Sequence, residues 1–282
     1  MKKLTVITIN YNNKWGLKDT LESVFEQTCQ DFEYILIDGG STDGSKELLQ
    51  YYDNKFTYWI SERDTGIFNA MNKGLKQATG EYIIHMNSGD TFYAKNILEK
   101  VIPKLESGED ILCGNSFFVN DHNSESPYFW IAPQQVSFNF FCKDTLNHQS
   151  MFIKRSLFER VGFYSETYKA ASDWIFLLQA FSFHDATYKK LDFCVSKYDR
   201  SGFSSVNWEV GFKEQQEVFQ KQFSFFYFDF SGKDLDFTYP FWSNMKRNIK
   251  KLLKILLPYG VVRYLELYKA QRRMKKVGLN SK

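Results

Sequence analysis

Cysteine is sparse and scattered. The four cysteines (Cys29, Cys113, Cys142 and Cys194) lie far apart and form no Cys-x-x-Cys pair, so neither a zinc site nor a disulfide framework is indicated. A reducing compartment fits that pattern. No stretch approaches the roughly 18 apolar residues needed to span a bilayer, so no transmembrane helix is expected. Lys2 and Lys3 precede only six mostly apolar residues, Leu4 to Ile9, too short for a signal-peptide core. The expected location is therefore the cytoplasm. Gly-x-Gly-x-x-Gly and Gly-Lys-Ser/Thr are both absent, which disfavours dinucleotide and P-loop phosphate binding.

What the chain does have is apolar and aromatic residues in quantity. Its 282 residues are 43% hydrophobic, enough for one large domain, with or without appendages. The 28 Phe and 17 Tyr concentrate after Phe117. Charge is unevenly placed. Residues 243–282 carry twelve Lys/Arg against one acidic residue, Glu266, and subtracting this +11 from the net +3 leaves −8 for the first 242 residues. An acidic body with a basic tail does not resemble a nucleic-acid binder, whose footprint spreads over a folded face.

Leu4 to Asn10 (LTVITIN) is β-branched and apolar, as expected of a strand buried on both faces of a parallel sheet. A polar loop follows, then Trp15 to Gln27 places Leu17, Leu21, Val24 and Phe25 at helical spacing. Phe32 to Ile37 predicts a second buried strand. Lys46 to Tyr52 predicts a helix capped by Ser41 or Thr42, with Asp43 a turn or cap residue. Phe56 to Ile60 is a third strand and Ile67 to Ala78 a helix stopped by Gly80. Tyr82 to Met86 is a fourth strand, ending in the polar tip Asn87-Ser88-Gly89-Asp90. That tip reads either as an ordinary turn or as an oxygen site for Mg²⁺ or Mn²⁺ that leaves positions open for substrate phosphates.

Strand and helix alternate at short spacing, so the fold class is α/β with right-handed crossovers. In such sheets ligands sit outside the carboxyl ends of the strands. Asn10 and Asn12, Asp38, Asp64 and the Asn87–Asp90 tip all fall at strand ends, and their coincidence at one edge makes a site. Asp38 either accepts a base imide N–H or ribose hydroxyl, or opens a glycine-rich turn and caps the helix behind it.

These residues carry a resemblance. The opening strand with Asn-Tyr-Asn, then DGGSTDGS, ERDTGIFNAMNKG, ATGEYI and NSGD, resembles family 2 glycosyltransferases of the bacterial type, over residues 4 to about 210. The resemblance implies a GT-A nucleotide-sugar-binding sheet flanked by helices, a nucleotide-sugar donor, a divalent cation and inverting transfer, often in lipopolysaccharide or capsule synthesis. It places Thr8, Asn10 and Asn12 by the nucleotide, Asp38 and Asp64 at the base and ribose, and Lys73 either near the donor or on a helix surface. NSGD takes the place of the family's Asp-x-Asp, with its first Asp replaced. Asp90 becomes the metal residue and Ser88 a secondary contact. The implied organisation is a GT-A domain over 1–210, divided into a nucleotide-binding half (1–95) and an acceptor half (96–210), followed by a helical basic extension (211–282).

In the acceptor half, Phe117 to Phe141 reads as irregular and aromatic. Its rings either stack on sugars or pack in the core. Asp173 lies in the first turn of a predicted helix, where the dipole favours a carboxylate. The resemblance makes it the general base that removes the acceptor's hydroxyl proton. His148 positions the acceptor, reaches the diphosphate, or is structural. Arg200 or Ser201, in KYDRSGF, would meet phosphates.

Asn244 to Leu257 sets an apolar face beside a basic one, and Val261 to Lys276 repeats the mixture, which suits a helix lying on an anionic membrane surface. Packing on the acidic body and a homodimer contact are the alternatives. The expected protein is an enzyme: a metal-dependent glycosyltransferase, most simply UDP-linked, with a glycan or lipid-linked acceptor. A non-catalytic nucleotide-sugar or glycan binder is its rival. A nucleotidyltransferase lacks the glycine-rich basic loop it would need.

Overall fold

The computed structural model describes residues 2–119, 127–199, 202 and 206–223, all within one compact unit spanning residues 1–224. Arg200, Ser201 and the whole 244–276 segment lie outside the described residues.

Four parallel strands begin the chain: β1 (Leu4–Asn10), β2 (Glu33–Asp38), β3 (Tyr58–Ser61) and β4 (Tyr82–His85). Every residue of β1 and β2 is buried, the two-face burial expected of a central parallel sheet. Helices α1 (Lys14–Phe25), α2 (Ser45–Tyr51) and α3 (Ile67–Gln77) connect them, each within two or three residues of the prediction. Leu17, Leu21 and Val24 of α1 join Leu4, Val6, Tyr34, Leu36, Ile84 and Met86 in the core on one face. On the other face α3 packs close to the sheet: a side chain at Gly74 would stand 2.5 Å from Ile7.

Of the residues expected before α2, Asp43 is the one that bonds its first residue. Asp43 accepts hydrogen bonds from the N–H and Oγ of Ser45, while Ser41 turns back to Asp38. A wholly buried carboxylate attracts the hydroxyl more strongly than a helix end does.

The rest of the sheet is mixed. Among the described residues, β5 (Thr91–Phe92), β6 (Ile111–Val119), β7 (Tyr128–Trp130), β8 (Met151–Lys154) and β9 (Tyr188–Asp199) complete the order β3-β2-β1-β4-β8-β6-β9-β5, with β7 paired to β6. β4 meets β8 antiparallel through two register pairs, Tyr82 with Lys154 and Ile83 with Ile153. Interleaved are α4 (Ile97–Leu105), α5 (Phe138–Phe141), α6 (Arg155–Val161), α7 (Ser172–Phe183) and α8 (Trp208–Gln222). Part of the aromatic stretch predicted as irregular is therefore a sheet: Phe117 faces Phe129 across β6 and β7, their rings 4.8 Å apart. Cross-strand aromatic contact stabilises such a pair where local propensity says little. Among the described residues no helix is long and apolar enough to cross a membrane.

Candidate active site

Strand order reverses between β1 and β4, so the crevice beyond their carboxyl ends is the topological switch point where ligands bind in open α/β sheets. Asp38 ties that edge together. Its Oδ1 accepts from Asn10 Nδ2 (2.7 Å) and Ser41 Oγ (2.6 Å), and its Oδ2 from Ser41 N–H (3.0 Å) and Ser61 Oγ (2.6 Å). These donors come from the ends of β1, β2 and β3, and Asp38 itself is wholly buried. Thr8 is equally buried, its hydroxyl donating to Met86 O at 2.7 Å, so it sits behind the strand end. Asn12 Oδ1 accepts the Thr42 N–H at 2.8 Å, which fixes the loop over this edge.

Asp64 arrives from the loop after β3. A side chain at Gly39 would stand 3.1 Å from Asp64 Oδ2 and from the Tyr11 ring, so the bare glycine admits both. Burial pushes the Asp64 carboxyl up from its ordinary range, the Lys73 ammonium opposing it and the charges of Glu62 and Asp38 adding to it. Lys73 bridges Glu62 and Asp64, 2.6 Å from each. Tyr11, 69% exposed, leaves an aromatic face in solvent beside this group, a feature sequence reasoning passed over.

The tip after β4 is pinned from two sides. Ser88 N–H donates to Ile9 O (3.1 Å), and Ser88 Oγ donates to Asn13 O (3.1 Å). Thr20 Oγ1 of α1 accepts from Gly89 N–H (3.0 Å) and donates to Asp90 O (2.7 Å). Asp90 is 4% exposed, and its Oδ1 accepts the N–H of Asp199, at the end of β9, at 3.0 Å. Burial pushes Asp90 up to about 7, against the pull of His148 and of that N–H. Gly89 turns the tip at φ 102°, a conformation that favours glycine, and faces Asp199. No group of three or more His, Cys, Asp or Glu among the described residues stands ready as a metal cage. Two carboxylates at one strand edge nevertheless fit Mg²⁺ or Mn²⁺, which commonly takes one or two from protein and the rest from phosphate and water. Asp199 went unrecognised because KYDRSGF gives no local sign that its Asp meets Asp90.

Across the crevice, α7 presents Asp173 in its first turn. Asp173 Oδ1 accepts from Trp174 N–H (2.8 Å), and Oδ2 lies 3.3 Å from His148 Nδ1. His148 Nε2 faces Asn87 Nδ2 at 3.1 Å. Because an ionised carboxylate only accepts, the Nδ1–H of His148 points to Asp173. Burial lowers the His148 pKa, but Asp173's hydrogen bond and charge, with the charge of Asp90, raise it overall. One imidazole thus feels both carboxylates. Beneath it, His85 makes no hydrogen bond at either ring nitrogen among the described residues, and burial pushes it down to about 3.

Comparison with known proteins bears on the family and the fold. The model of glycosyl transferase family 2 matches residues 5–168. A PGL/p-HBAD biosynthesis glycosyltransferase of Mycobacterium bovis is 29% identical over 187 residues, 64% of this chain and 71% of that protein. TarS 1–349 of S. aureus, solved in complex with UDP-GlcNAc, aligns with a TM-score of 0.61 at 20% identity, over 78% of this chain and 67% of its own. The chain spans 40% of the longer TarS chain. The mannosyltransferase PcManGT of Pyrobaculum calidifontis, in complex with GDP-Man and Mn²⁺, gives 0.58 at 15% identity, over 98% and 81%. The fold expected from the sequence is the one found, and the protein belongs to glycosyl transferase family 2, with a GT-A sheet.

Proposed function

We propose that the chain transfers a sugar from a nucleoside diphosphate donor, UDP-linked, to a hydroxyl of a glycan or lipid-linked acceptor, with inversion and with help from a divalent cation. The observation that carries this reading is that one imidazole, His148, lies 3.3 Å from Asp173 and also feels the charge of Asp90. Support for the donor class comes from TarS, solved with UDP-GlcNAc, and support for the cation from PcManGT, solved with Mn²⁺.

Asp173 takes the proton of the acceptor hydroxyl as that oxygen attacks the anomeric carbon. The bond from that carbon to the diphosphate oxygen breaks, and its electron pair leaves with the nucleotide. His148 Nδ1–H holds Asp173 Oδ2 in place, while Oδ1 is held by its own helix. Asp90, with Asp199 beside it, would hold the cation, which when bound offsets the charge growing on the diphosphate. Asp64 and the Tyr11 ring border the space for base and ribose, with Asn10, Asn12 and Asp38 fixing its floor. A membrane-facing role for 244–276 rests on the basic amphipathic pattern and would bring the enzyme to lipid-linked acceptors. Release of nucleotide from a panel of nucleotide sugars with Mn²⁺ tests the reading. No turnover of any donor, with acceptor or by slow hydrolysis, would refute it.

A further inference from the structure

At the start of α7 the Trp174 N–H holds Asp173 Oδ1, but the backbone that leads into the helix has no side-chain cap of its own. Ala171, the N-cap residue, makes no side-chain cap hydrogen bond, so the amides leading into the helix need an outside acceptor. They find one on α8. The Glu214 carboxylate accepts three consecutive backbone N–H groups: Lys169 to Oε1 at 2.7 Å, and Ala170 and Ala171 to Oε2 at 3.0 Å each.

Two apolar contacts reinforce that grip. The Phe219 ring meets Trp174, the residue after Asp173, edge-on at 5.0 Å. Ala170 lies against Gly211, where a side chain would stand 3.5 Å from it. Trp174 is anchored in turn by donating its indole N–H to Phe141 O at 3.0 Å. One helix thus holds the chain immediately before and immediately after Asp173.

We infer that Glu214 is a positioning residue for the base, acting through the 169–171 amides to set Asp173 against His148. This rests on the proposed function. A charged acceptor of three amides is stronger than neutral caps, because each N–H to a carboxylate is a charge-assisted bond. It also fixes direction, since three successive N–H groups can converge on one carboxylate only when the backbone curls around it. An ordinary packing contact between α7 and α8 would need none of this polar geometry. Sequence reading could not find it: Glu214 is one of two acidic residues in KEQQEV, and its partners lie more than forty positions away.

The test compares the full-length protein with Glu214→Ala and Glu214→Gln. Amide hydrogen exchange over 168–176 and steady-state transfer with a donor the wild type uses are measured together. Expected is faster exchange at 169–171 in Glu214→Ala. With it, kcat should fall roughly tenfold or more while donor KM stays within about twofold, since small misplacement of a reacting group costs rate before it costs binding. Glu214→Gln, keeping one carbonyl acceptor, should fall between. Unchanged exchange at these amides overturns the inference whatever the activity, and so does an unchanged kcat in a variant that has lost protection. Equal loss of kcat and of donor affinity, tracking the unfolded fraction, also overturns it by showing a purely structural role. A wild type without turnover refutes the proposed function instead, and the exchange data then still decide whether Glu214 holds the segment.

Discussion

The N–H of Asp199 donates a 3.0 Å hydrogen bond to Asp90 Oδ1, latching the end of β9 to the tip after β4. Burial places the Asp90 carboxyl at about 7, above its ordinary 3.8. A raised carboxyl favours the fold below its unfolded value, and that contribution is lost as pH rises through the folded one. A cation needs the ionised form. Mn²⁺ with UDP should therefore raise the melting temperature more at pH 8 than at pH 6. Asp90→Ala should abolish the metal response at both, as read by thermal shift. An equal shift at the two pH values in the wild type would exclude Asp90 as the metal residue.

Asp173→Asn should keep nucleotide binding, measured by calorimetry, and lose transfer by about 10²-fold or more, the usual contribution of a general base. His148→Asn should lose less, about tenfold, because it orients the base without taking the proton. A His148 variant as inactive as the Asp173 variant would reverse the two assignments.

His85 offers a stability test in the opposite sense. Its folded value of about 3 lies below the ordinary 6.5, so the stability it permits is present above 6.5 and lost as pH falls towards 3. With neither ring nitrogen hydrogen-bonded to a described residue, an apolar side chain of similar size should serve better there. His85→Leu should unfold at higher urea than the wild type at pH 5, with a smaller difference at pH 8. A less stable variant at pH 5 would mean that the imidazole has a polar role.

Thr20 joins α1 to the Asn87–Asp90 tip through one hydroxyl. Thr20→Val keeps the shape but leaves the Gly89 N–H and Asp90 carbonyl short of a partner, at a cost of about 1–3 kcal/mol by urea denaturation. The Mn²⁺ response should weaken with it. No change in either would mean that the tip holds its form unaided.

How much was legible follows the range of the contacts involved. β1, β2, β4 and α3 are spelled out by local apolar pattern, and their ends lie within one or two residues of expectation. That Asp38, Asp64 and Asp90 lie at or just beyond the ends of β2, β3 and β4 follows from alternation alone. What each carboxylate does at that edge does not. Asp38 has two readings in the sequence, a base or ribose contact and the opening of a glycine-rich turn, and Ser41 and Ser61 donate to its oxygens from two different segments. Lys73 fell between two readings and proves to be paired with Asp64 and Glu62. Asp199 and Glu214 stayed invisible for one reason: their partners are set by strand order and helix docking, and no short window of sequence records either.

The antiparallel seam between β4 and β8 holds just two register pairs, and it lies between the strand that leads to Asp90 and the segment that leads to Asp173. Rows of backbone bonds resist sliding in proportion to their number, so this join is the calliper screw of the sheet. Sliding of β4 against β8 would alter the distance between Asp90 and Asp173 without disturbing either side of the seam.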